Sequence, residues 1–130
     1  MAKLRHIAIN AENLEEEAKF YTSAFELEEV GRVGDMAVAG AIYLSDGVMN
    51  IALIKISDTS HPNYLPRGLN HVGFVVTDLE ASIDRAEKAG AVATVDRSHR
   101  DAGATWEMKM KAPNGLDFDL SDHGWPGIQL

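Results

Sequence analysis

Residues 4–17 read LRHIAINAENLEEE and residues 69–82 read LNHVGFVVTDLEAS. Sliding the sequence on itself by 65 positions lays the first stretch over the second. Leu4 then meets Leu69, His6 meets His71, Leu14 meets Leu79 and Glu15 meets Glu80; further on, Ala24 falls on Ala89 and Val30 on Val95. The offset is half of the 130 residues, so the chain reads as two copies of one module. Each copy opens with a strand-like run of apolar and β-branched residues. A cap-type residue follows, Asn13 or Asp78, and then a helical pattern. Leu14, Ala18, Tyr21 and Phe25 recur at three- and four-residue steps, as do Leu79, Ile83, Ala86 and Ala89, with Gly90 as a stop.

Three more strands are expected in each half. The first offers LEEVGRV (27–33), MAVAGAIYLS (36–45) and MNIALIKI (49–56); the second offers AVATVDR (91–97), TWEMKMKA (105–112) and LDFDLSD (116–122). The segments SDG (45–47) and PNG (113–115) are hairpin signals between the last pairs. The order is β-α-β-β-β, twice, an α+β class. Module one covers about residues 3–56, a Pro-containing linker 57–68, module two 69–122 and a short tail 123–130, all in one domain.

Composition narrows the partners. The net charge is −8, the pI is about 5.0 and there is no basic run, which argues against nucleic acid or an anionic membrane surface. Without cysteine there is no disulfide, thiolate site or cysteine nucleophile. Any metal must be held by His, Asp or Glu. No stretch approaches the roughly 18 apolar residues of a membrane span, and the apolar run after Lys3 and Arg5 is too short for a signal peptide. A cytoplasmic location is expected.

The repeated module with a histidine in each opening strand, and an acid after the last hairpin glycine, resembles the vicinal oxygen chelate superfamily. That superfamily includes glyoxalase I, extradiol dioxygenases, methylmalonyl-CoA epimerase, and fosfomycin and bleomycin resistance proteins. The resemblance covers nearly the whole chain. It implies two modules forming a U-shaped sheet around a metal cavity, and a homodimer. It further implies metal ligands at His6, at His71 and, four residues after Gly115, at Asp119. The family more often has Glu at this last position. The shorter side chain calls for a metal closer to that strand or for a bridging water. A fourth family ligand falls near Ile51 or Ala52, and neither binds metal.

Strand alternation agrees with this reading. His6 shares a face with Leu4, Ala8 and Asn10, and His71 with Leu69, Gly73 and Val75, whereas Ile7, Ile9, Val72, Phe74 and Val76 suit packing under helices. Asp117 shares a face with Asp119 and is an alternative ligand or a substrate contact. His123 or Trp125, in the tail, and Tyr43, on a central strand, are candidates to reach the cavity mouth, His123 and Tyr43 as proton-handling groups. The tail reading for His123 and Trp125 is a surface segment anchored by the tryptophan. Trp106 and Met108 form an apolar strand face that is either core or pocket wall. The acids at 12 and 15–17 match the preference of a helix N-terminus for negative charge and are given no chemistry. His61 and His99 are read as exposed loop residues.

Two imidazoles and one carboxylate leave open metal positions, a pattern suited to non-haem Fe(II) that binds substrate and O₂ together, or to a Lewis-acid site. Fe(II) is favoured, with Mn, Zn or Ni possible. The expected function is a metal-dependent enzyme acting on a small oxygenated, metal-chelating molecule, with an extradiol-type dioxygenase as the best fit. A glyoxalase-like lyase, an isomerase or a fosfomycin-type transferase is the alternative. A non-catalytic drug-binding protein is a further one, disfavoured by the retained His-His-acid set.

Overall fold

A computed structural model of the chain describes residues 1–62, 64–96 and 107–130. The elements follow the order β1 Lys3–Asn10, α1 Leu14–Phe25, β2 Glu28–Asp35, β3 Ala39–Ser45 and β4 Asn50–Lys55. The second half gives β5 Gly68–Val75, α2 Leu79–Lys88, β6 Val92–Ala93, β7 Met108–Lys111 and β8 Asp117–Ser121. This is β-α-β-β-β twice, as the repeat implies. Asn13 caps α1 by accepting from the Glu16 N–H at 3.1 Å, and Asp78 caps α2 by accepting from the Ala81 N–H at 3.0 Å. The hairpins turn at Gly47 (φ +95°) and Gly115 (φ +91°), a backbone region that a side chain disfavours.

The strands form one mixed sheet in the order β2-β3-β4-β1-β5-β8-β7-β6. The two opening strands lie antiparallel at its centre. Each is flanked by the last strand of its own module, β1 by β4 and β5 by β8, both parallel. Two apolar clusters hold the helices down. Leu14 and Ala18 of α1 pack on Ile42, Leu44 and Leu53, while Leu79 and Ile83 of α2 pack on Val76, Met108, Met110 and Leu120. Directly opposed strand residues share a face, so both helices cover the face that holds Ile7 and Val72, and the other face is left for His6 and His71.

Two strands are shorter than the sequence suggests. β6 is confined to two residues, with one further backbone bond from Thr94 to Lys109. β3 starts at Ala39 rather than Met36, because Asp35–Val38 close a turn. Thr105, Trp106 and His99, and the end of the expected 91–97 strand, lie outside the described residues. Among the described residues no helix is long and apolar enough to cross a membrane.

Candidate metal centre

The two histidines owe their aim to a repeated irregularity. In the β1–β5 pairing, Leu4 opposes Phe74 and His6 opposes Gly73, so Arg5 is an extra residue on β1. Ala8 opposes His71 and Ile9 opposes Leu69, so Asn70 is an extra residue on β5. Arg5 and Asn70 are equivalent in the repeat, and each immediately precedes a histidine. Such bulges twist a strand locally and re-aim the next side chain. Here they bring the two imidazoles together, with Nε2 atoms 3.1 Å apart. From β8, Asp119 sits opposite Gly73 and places its Oδ2 3.2 Å from His71 Nε2.

The outer nitrogens are held. Asn50 Nδ2 donates to the Pro126 carbonyl at 2.8 Å, which leaves Asn50 Oδ1 to accept from His6 Nδ1 at 2.7 Å. His6 thus carries its proton on Nδ1 and presents a bare Nε2. His71 Nδ1 lies 2.6 Å from Asn70 Oδ1, which sets the same tautomer. Burial lowers the His6 pKa to about 4, so the ring is neutral near pH 7. Asp119 is 2% exposed. Burial works against its charge, but the Lys109 ammonium, 3.0 Å from Oδ2, outweighs that and keeps its pKa well below the ordinary carboxylate range.

Two bare imidazole nitrogens and a carboxylate oxygen therefore converge, an arrangement that a cation relieves. Ligand bonds of about 2.0–2.2 Å at angles between octahedral and tetrahedral put neighbouring donors roughly 2.8–3.6 Å apart. The His6–His71 and His71–Asp119 distances, 3.1 and 3.2 Å, fall in that range, and all three donor atoms lie within 4.8 Å of one another, so donor type and spacing suit a candidate divalent-metal site. The Asp119 carboxylate reaches His71 Nε2 at 3.2 Å despite its shorter side chain. Repeat symmetry also explains the missing fourth ligand. Asp119 pairs with the residue two past His71, and its counterpart, pairing with the residue two past His6, is Ala52.

Two residues not expected in the site, Lys109 and Glu107, complete it together with Trp125, one of the tail candidates. Lys109, opposite Asp119 across the β7–β8 hairpin, places Nζ 3.0 Å from Asp119 Oδ2 and 3.4 Å from Glu107 Oε2. Glu107 Oε1 in turn accepts from Trp125 Nε1, and the Trp125 indole stacks on His6 with ring centres 4.5 Å apart and planes 7° from parallel. The six side chains close a ring of contacts. Burial, and then the Asp119 charge, raise the Glu107 pKa. Burial opposes the Lys109 charge, but Asp119 and Glu107 outweigh it and raise the pKa of that amine.

A cavity of about 180 Å³ opens beside the cluster, lined in part by His71, Asp119, Lys109, Asp117, Ile54 and Ile56. Asp117 is on this wall, but its Oδ1 is engaged by Lys111 Nζ at 2.7 Å, and the cluster with both histidines forms through Asp119. Tyr43 shares the inner face through its pairing with Ala52; burial raises its pKa, and the Glu107 charge adds to this. His123 pairs with Asp122 at 3.1 Å at the surface, and it is Trp125 that folds over His6. Met108 is not a pocket wall: it is fully buried in the cluster under α2, because alternation along β7 turns Glu107 and Lys109 inward and the methionines toward the helix. Trp106 lies outside the described residues.

A family model described as the Glyoxalase/Bleomycin resistance protein/Dioxygenase superfamily matches residues 3–120. No curated protein matches the chain. Among solved structures, methylmalonyl-CoA epimerase from Streptomyces coelicolor, bound to 2-nitronate-propionyl-CoA, is 16% identical with a TM-score of 0.72, over 91% of this chain and 94% of that one. Methylmalonyl-CoA epimerase from Mycobacterium tuberculosis is 19% identical with a TM-score of 0.69, over 90% and 85%. A variant of 4-hydroxymandelate synthase from Streptomyces coelicolor is 15% identical with a TM-score of 0.77, over 98% of this chain and 40% of the other. These likenesses are of fold.

Proposed function

The chain belongs to the glyoxalase/bleomycin resistance protein/dioxygenase superfamily, and from that premise we propose that it is a metal-dependent enzyme acting on a small oxygenated molecule that chelates the metal. One observation carries the reading: two bare imidazole nitrogens and a carboxylate oxygen, from three strands, all lie within 4.8 Å of one another. His6, His71 and Asp119 would hold the ion, Fe(II) by preference, with Mn, Zn and Ni compatible with the same donors. Bound there, Fe(II) would supply the open positions on which a chelating substrate and O₂ meet. Within the superfamily this three-donor set favours oxygenase chemistry of the extradiol type.

The chain's own residues then have distinct tasks. Asn50 and Asn70 hold the imidazoles in the ligand tautomer. Trp125 lies flat on His6 and keeps water from that side. Ile54 and Ile56 offer an apolar wall to the substrate, and Asp117 a polar one. Tyr43 faces the inner side, where a phenol is suited to holding a substrate proton. His123, at the surface beside Asp122, is the more distant candidate for proton handling.

A second reading, an isomerase moving a proton next to a carbonyl, is favoured by Glu107. Its raised pKa brings the carboxyl closer to the working range of a general base. The two are told apart on anaerobically Fe(II)-loaded protein. Oxygen uptake with catechols, lost in Asp119→Ala, supports the oxygenase. Deuterium exchange at the α-carbon of acyl or keto compounds, without oxygen uptake and lost in Glu107→Gln, supports the isomerase. Absence of both activities in metal-loaded protein would contradict both the oxygenase and the isomerase reading. The proposal includes a homodimer: Phe20 and Phe25 on α1 and Val33 on edge strand β2 are exposed apolar residues of the kind a second copy covers. Sedimentation at the monomer mass would contradict it.

A further inference from the structure

We propose that Lys109 is the residue that holds the substrate, by the carboxylate through which that substrate also chelates the metal. The inference deepens the metal-enzyme reading and rests on it. An ammonium group has three N–H donors. Asp119 Oδ2 takes one at 3.0 Å and Glu107 Oε2 another at 3.4 Å. The third has no acceptor among the described residues. Lys109 is also the only cationic side chain among the described residues that line the cavity beside His71 and Asp119.

The charge is held in place. Lys109 stands directly opposite Asp119 in the β7–β8 register, and Glu107 anchors it from two residues away on the same face. Glu107 is itself fixed by the Trp125 indole. A lysine kept only to neutralise Asp119 would not need its side chain 42% open to solvent at a cavity mouth. Electrostatics point the same way. With neutral imidazoles, the Asp119 and Glu107 carboxylates together exceed the Lys109 ammonium by one charge, so a divalent ion leaves one positive charge uncompensated. A chelating carboxylate supplies the missing negative charge, and charge-assisted hydrogen bonds of this kind are the stronger ones. The cavity is small, about 180 Å³, and Ile54 and Ile56 form its apolar part. The ligand class that fits is a short carboxylic acid with an oxygen on the adjacent carbon and a compact apolar tail.

Co(II) is loaded into wild type, Lys109→Met and Lys109→Arg, and metal content is measured first. Oxalate and its neutral isostere oxamide are then titrated while the visible bands of the bound cobalt are followed. The expected result is full cobalt in all three proteins, with oxalate bound at least about ten-fold more weakly by Lys109→Met. Lys109→Arg should retain most of the affinity, and oxamide should respond about equally to all three. Oxalate binding unchanged in Lys109→Met, no oxalate binding by cobalt-loaded wild type, or an equal loss for oxalate and oxamide overturns the inference alone. So does a Lys109→Met protein that folds but takes no cobalt, since Lys109 would then serve Asp119 rather than the ligand. Wild type that takes no cobalt overturns the metal reading and this inference with it.

Discussion

The Asn50 amide has two ends and both are engaged: its N–H₂ on the Pro126 carbonyl, its oxygen on His6 Nδ1. A single buried amide therefore ties the tail to the tautomer of a candidate ligand. Asn50→Ala leaves His6 free to rotate and to move its proton to Nε2. Metal affinity is expected to fall by about 10–100-fold, the range for residues that orient metal-bound histidines; an unchanged affinity in a calorimetric titration would contradict this role. The buried ring also makes a pH prediction for the metal-free protein. Burial lowers the His6 pKa from an ordinary 6.5 to about 4. Between these values the unfolded chain binds a proton that the folded chain refuses, so stability rises with pH across that window. It is fully present above about pH 6.5 and lost as pH falls toward about 4, by roughly 3 kcal/mol. Asp119, with its depressed pKa, adds a loss of the same sign at lower pH. Thermal unfolding at about pH 7, 5.5 and 4.5 checks this, and a flat Tm would contradict it.

Strands and tail explain which parts of the site were legible in the sequence. His6 and His71 stand at equivalent positions of a repeat, and Asp119 follows a hairpin glycine at a fixed step, so local pattern was enough to find them. The bulges at Arg5 and Asn70 leave no pattern, because an extra residue in a strand still looks like strand. Lys109 and Glu107 alternate with Met108 and Met110, and the apolar face drew attention as a wall for the cavity. The hairpin at Gly115 held the correcting signal. Its register sets Lys109 against Asp119 and Lys111 against Asp117, two opposite-charge pairs on the cavity face. Trp125 was legible as a candidate for the cavity mouth or as a tail anchor, but not as the ring that stacks on His6, since that partner is 119 positions away in the chain. Its seat depends on Gly73. A Cβ there would lie 2.7 Å from the indole and 2.9 Å from His6 Cβ. Gly73→Ala is expected to unseat Trp125 at a cost of about 1–3 kcal/mol. The readouts are a red-shifted tryptophan emission and a lower Tm; native emission with an unchanged Tm would contradict the packing.

At the scale of the molecule the repeat was read correctly and its asymmetry is the finding. The second module supplies His71, Asp119, Lys109 and Glu107. The first supplies His6 and, where Asp119 has its counterpart, Ala52. Each module has its own core under its own helix, and the donor cluster lies where the two opening strands meet. A metal bound there links both modules and is absent from the unfolded chain. At about a hundredfold excess over Kd it adds about 2.7 kcal/mol of stability. For this length that raises Tm on the order of 10 °C, and His6→Ala should abolish the rise.

The most direct test of the central claim is the metal content of the protein purified without oxygen and loaded with Fe(II), beside a His71→Ala control. The account predicts about one metal per chain in the wild type and its loss in the control. A wild-type protein that retains none after loading with Fe(II), Mn(II), Ni(II) or Zn(II), or a His71→Ala protein that keeps its full complement, would contradict it.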